Sequence, residues 1–202
     1  MRIVAVFLAL VPVFAQDAGR AVMDRAVADF SAARIDDSVR GFDRVVQLSP
    51  NSAPYLWQRG IALYYAGRYK DCRAQFESHR TVNPNDVENA AWHYLCVARD
   101  ESPQRARAAL LPVGPDARRP MREVLDMFAG KMTPADVLRA AGNSSEANFY
   151  AHLYIALYAE GLGKTAQALE EIRLAADPKY QSDGGYMHMV ARVHLRLREK
   201  TR

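Results

Sequence analysis

Both cysteines and two of the five histidines of this 202-residue chain fall between positions 72 and 96: Cys72, His79, His93 and Cys96. These are the side chains of nucleophilic and metal chemistry, because a thiolate attacks electrophilic centres, an imidazole takes up its proton, and both bind zinc. His93 and Cys96 stand three apart, so on a helix they share a face and form a thiolate and imidazole pair. Cys72 and His79 also share a face, which makes the four a zinc set by residue type. Reach opposes that set, since the seven residues from Cys72 to His79 rise about 10.5 Å along a helix, awkward for two ligands of one ion. Other reaction signatures are missing from the sequence. It holds no Gly-rich phosphate loop, no Gly-x-Ser-x-Gly elbow and no His-Glu-x-x-His. Glu170 and Glu171 are adjacent and point to different helix faces, and no cofactor is expected. A cysteine and histidine enzyme, or a metal protein using Cys72, His79, His93 and Cys96, therefore stands as the second reading.

The elements that carry these residues follow from Trp57 to Pro84, "WQRGIALYYAGRYKDCRAQFESHRTVNP". Pro50 precedes Pro84 by 34 residues, Phe42 precedes Phe76 by 34, and Arg25 precedes Arg59 by 34. Three pairs in one register make an internal repeat, with the period of helix-turn-helix solenoid units. On these residues the chain resembles the tetratricopeptide repeat (TPR) family. Its pattern is met in the second unit by Leu56, Arg59-Gly60, Leu63, Cys72, Phe76 and Pro84, and more loosely in the first by Val22, Arg25-Ala26, Asp29, Ser38, Phe42 and Pro50. Gly60 and Ala26 lie where the first helix of a unit passes close to the second. Gly67 turns the chain between the two. Pro50 and Pro84 end the second helices, because proline lacks the amide hydrogen and restricts the residue before it.

Further units are weaker. "DVENAAWHYLCVARD" reads as a helix capped by Asn85 or Asp86, with "SPQRARAALL" as its partner. "LPVGPDARRP" breaks the stack. "MREVLDMFAG" and "TPADVLRAAG" form a pair, the second begun by Thr133 and Pro134. "NFYAHLYIALYAEGLGKTAQALEEIRLAA" matches the repeat again, "KYQSDGGY" reads as a loop, and Met187 to Glu199 as a terminal helix that caps the solenoid. The expected fold is all-α: a right-handed TPR-like solenoid of antiparallel helix pairs over about 19–52, 53–86, 87–112, 120–141 and 149–177, with a terminal helix at 187–199.

In that arrangement Cys72 and Cys96 belong to neighbouring helices. A bridge between them would close a loop of about 25 residues, worth about 3 kcal/mol. Two buried free thiols satisfy the sequence equally well.

The start, "MRIVAVFLALVPVFAQDAG", has one charge followed by about 12 apolar residues, too few for a bilayer span of roughly 20. It reads as a secretory signal peptide, 1–15, cut after Ala15, which leaves 16–202 as an exported domain without a transmembrane segment. Asn143-Ser-Ser is a glycosylation sequon only on a eukaryotic secretory route. With 27 Lys and Arg against 23 Asp and Glu, the net charge of +4 is too small for a nucleic-acid partner.

Taken together, "PYLWQRGIALYYAGRY", "NPNDVENAAWHYLCVAR", "RRPMREVLDMFAGK", "FYAHLYIALYAEGLGKTAQALE" and "GGYMHMVARVHLRL" are similar to successive blocks of the NlpI-like group of exported TPR proteins. The group consists of dimeric periplasmic adaptors, so the resemblance implies a homodimer, and partners among envelope proteases or peptidoglycan-processing enzymes. No cysteine follows the apolar run here, so the lipid anchor of that group is not expected. The resemblance brings no catalytic residue. It also implies that first helices line a concave surface, where Trp57, Ile61, Tyr64 and Tyr65 offer an aromatic strip continued by Glu88, Ala91 and Arg99. The expected function is a non-enzymatic protein-binding scaffold or adaptor of the cell envelope.

Overall fold

The computed structural model describes residues 13–200. Most of the expected signal peptide thus lies outside the described residues. The chain forms eleven helices among these residues: α1 (Val13–Ser31), α2 (Ile35–Leu48), α3 (Trp57–Tyr65), α4 (Tyr69–His79), α5 (Val87–Asp100), α6 (Pro103–Ala108), α7 (Met121–Phe128), α8 (Pro134–Ala141), α9 (Ser145–Gly161), α10 (Thr165–Ala175) and α11 (Gln181–Glu199). No strand occurs among the described residues. Consecutive helices pair, α1 with α2, α3 with α4, α5 with α6, α7 with α8 and α9 with α10, and each pair contacts the next through α2–α3, α4–α5, α5–α7 and α8–α9. The fold is an all-α helical repeat of stacked antiparallel pairs.

The small residues sit where helices touch. A Cβ on Gly60 would come within 2.7 Å of the Phe76 ring, so α3 lies directly against α4. In the first pair, a Cβ on Gly41 would sit 2.7 Å from the Cβ of Ala26. Gly67 turns α3 into α4 with φ 73°, and Gly163 turns α9 into α10 with the same φ. Ala33 occupies the matching turn of the first pair, also at positive φ, 58°. Asp86 caps α5 by accepting from the Glu88 amide at 3.0 Å. Thr133 and Asp136 close a reciprocal capping box on α8, with Pro134 in its first turn.

Two regions depart from the repeat. The third and fourth pairs are short: α6 has six residues, α7 and α8 eight each. The Pro- and Gly-rich segment between α6 and α7 folds back to the start of α5, where the Gly114 amide donates to the Pro84 carbonyl and Asp116 accepts from the Val87 amide. The second departure corrects an expectation. "KYQSDGGY" is not a loop: α11 begins at Gln181 and is broken at Gly185, whose φ of 49° and ψ of −121° are open to glycine. Nor does α11 only close the end of the stack. It packs on α9 and α10, also reaches α1, and meets α3 through Tyr186 and His194.

Candidate functional site

The aromatic strip of α3 meets α11. Trp57 packs edge-to-face on Tyr186, ring centroids 4.8 Å apart, and Tyr186 stacks on Phe30 of α1 at 6.3 Å. Ile61 is fully buried and Tyr64 is 2% exposed. The Tyr64 hydroxyl donates to Glu160 of α9 at 2.5 Å, and the Tyr65 hydroxyl lies 2.9 Å from Nδ1 of His194 on α11. Arg198 of α11 donates to both oxygens of Glu160, at 2.6 and 2.7 Å. His194 Nε2 lies 3.0 Å from Glu160 Oε2, although its direction falls outside hydrogen-bond geometry. Glu160 thus joins α3, α9 and α11 at one carboxylate. Burial opposes its ionisation, yet the contacts from His194 and Arg198 hold its pKa well below the usual range.

A tyrosine, a histidine and a carboxylate in sequence invite comparison with a nucleophile relay. The electrostatics run the other way. Burial, and then the Glu160 charge, push the Tyr65 and Tyr64 phenols well above their ordinary value, so both are held neutral. The group is an internal clamp that seats α11 on the strip.

Glu88 and Arg99, expected to extend the strip, stand in the first and last turns of α5 and are not brought together. Arg99 is exposed and lies over Tyr69, with Nε 3.3 Å from the phenol oxygen. Ala91 is buried. The cysteines meet: Cys72 of α4 and Cys96 of α5 form a disulfide, Cα atoms 5.9 Å apart, at the core of the α4–α5 contact. The two histidines have other partners. His79 Nδ1 lies 2.8 Å from the Pro54 carbonyl, and His93 Nε2 lies 3.3 Å from Glu77. Burial lowers the His93 pKa, against the pull of Glu77. Among the described residues, no group of three or more His, Cys, Asp or Glu is placed to hold a metal ion.

A cleft of about 290 Å³ lies at the break in α11, between that helix, α3 and α5. Trp57, Trp92, Tyr150 and Tyr186 supply its aromatic walls, and Asp86 and Glu88 its charge. Glu88 accepts from the Tyr154 hydroxyl and from Arg118 at 2.5 Å, and Arg118 also reaches Asp86 at 2.7 Å and Asp116 at 2.6 Å. Burial, and next the charge of Asp86, raise the Glu88 pKa. Sequence reasoning found Trp57 and Glu88 but missed Tyr186, Asn89 and Arg118. The run of Asp and Arg at 116–119, in a segment otherwise rich in Pro and Gly, is the signal that could have led to Arg118.

No protein-family model matches the chain. Among the described residues, no helix is long and apolar enough to cross a membrane.

Proposed function

We propose that this protein is a non-enzymatic scaffold of the TPR kind, exported and NlpI-like, that recruits partner proteins in the cell envelope. The observation that carries this reading is the cleft beside the break in α11. Its aromatic walls stay partly open to solvent at Trp57 and Tyr186, whereas further along α3 the Tyr65 hydroxyl meets His194 of the last helix and Tyr64 is buried against Glu160 and Trp92. Large aromatic side chains around a concavity bury much area and lose few rotamers on binding, which suits a docked segment. The 34-residue register, the small residues at helix contacts and the matching Gly67 and Gly163 turns support the TPR assignment. The Cys72–Cys96 bridge is in keeping with an oxidising, exported compartment. Envelope proteases or peptidoglycan-processing enzymes are the partners the NlpI resemblance favours, with the chain acting as a homodimer.

Trp57→Ala is the test. Affinity capture from the native envelope should retain hydrolases or proteases on the unaltered chain and lose them on the variant, while far-ultraviolet circular dichroism stays unchanged. Equal capture by both chains would remove the cleft from the function. Turnover of a small molecule by the purified chain would favour the enzyme reading instead.

A further inference from the structure

We propose that the cleft receives the side chain of a lysine carried on a peptide segment of the partner. This rests on the scaffold reading and gives the docked segment its chemistry.

Charge is the first argument. Among the described residues, Asp86, Glu88 and Asp116 each have Arg118 as their ion-pair partner, so three carboxylates face one guanidinium. The start of α5 offsets part of the excess, because Asp86 accepts from the Glu88 amide and Asp116 from the Val87 amide. Asp86 and Glu88 line the cleft, and no Lys or Arg does; His79 is its one basic residue.

The walls supply the second argument. Faces of Trp and Tyr attract a cation through their quadrupoles, more strongly where water is displaced. A four-carbon stem with a compact ammonium can lie along such rings while its head reaches the acids. Arginine fits less well, because its planar fork asks for both oxygens of one carboxylate, and those of Asp86 already engage Arg118 and Asn83 and those of Glu88 engage Arg118 and Tyr154, whereas an ammonium asks for one remaining lone pair.

Unspent hydrogen bonds give the third. Asn89 Oδ1, Trp92 Nε1 and the Tyr186 hydroxyl, all on residues lining the cleft, are buried without a partner in the chain. They amount to one acceptor, one donor and one hydroxyl. A peptide brings both a donor and a carbonyl, which a bare amine does not.

Trp57 and Trp92 are the chain's two tryptophans, and both line the cleft, so intrinsic fluorescence reads the site directly. The full chain is titrated with acetyl-Ala-Lys-Ala-amide, with the same peptide carrying Nε-acetyl-lysine, and with n-butylammonium chloride. The expected result is saturable binding of the lysine peptide, about tenfold or more tighter than either comparison ligand. Asp86→Asn keeps a competent N-cap but removes one charge. It should weaken the lysine peptide several-fold, leave the acetylated peptide unchanged and preserve helix content. Equal affinity for the two peptides would overturn the lysine inference and leave peptide docking standing. Butylammonium binding as tightly as the lysine peptide would make this a free-cation site and overturn the peptide assignment. No response to any of the three, with partner capture still lost in Trp57→Ala, would overturn the lysine inference alone. No response together with intact capture would overturn both it and the scaffold reading of the cleft.

Discussion

Ala33 holds the first helix turn at φ 58°, in the place where the second pair has Gly67 and the fifth has Gly163. A left-handed conformation costs a residue with a Cβ about 1–2 kcal/mol. Glycine recovers that strain but gives back part of it through the entropy of its unfolded chain. Ala33→Gly should therefore stabilise the fold by about 0.5–1 kcal/mol, read as a raised urea midpoint with an unchanged slope. The 34-residue register places Ala33 opposite Gly67, so its backbone state was legible from the repeat. The contacts of Tyr64 and Tyr65 were not. Their helical spacing marks an apolar face, but nothing local says whether a partner or the chain itself covers it. Glu160 and His194 do, from about a hundred residues downstream.

Between elements, the α4–α5 contact carries the disulfide. Its two cysteines are 24 residues apart in sequence, and closing such a loop limits the unfolded chain by about 3 kcal/mol. Alkylation and mass measurement of protein purified without reductant should find no free thiol before reduction and two after it. Reduction should lower thermal stability while helix content below the transition is retained. Free thiols in the untreated protein would contradict the bridge. Neighbouring helices could be placed from the sequence because the second helix of one unit adjoins the first of the next. The short helices α6, α7 and α8 were harder to anticipate. Their segment gives up repeat spacing so that its Pro- and Gly-rich part can return Asp116 and Arg118 to the start of α5.

For the molecule as a whole, the decisive contact is α11 lying against α1 and α3. The 34-residue period fixes how each pair meets the next, but it carries no information on where a final unpaired helix goes. Such a placement depends on contacts remote in sequence, of which Tyr65 with His194 and Arg196 with the Ala32 carbonyl are examples. Acid should act on it through Glu160. That carboxylate is depressed in the folded state, so its stabilisation is complete above the ordinary value of 4.5 and is lost as the pH falls below it. His93, also depressed, loses its contribution as the pH falls below 6.5. Glu88, raised by burial, works in the opposite sense and favours folding as it takes up a proton.

Hydrogen exchange along 187–197, corrected for intrinsic rates and compared with α9, tests the placement of α11 most directly. At neutral pH the last helix should be protected to the same degree as α9, and as the pH falls below about 4.5 it should lose protection first, because the opened state then binds a proton that the folded Glu160 still refuses. Exchange at the rate of an unpacked helix at neutral pH would show α11 lifted from α3, and with it Trp57 and Tyr65 uncovered.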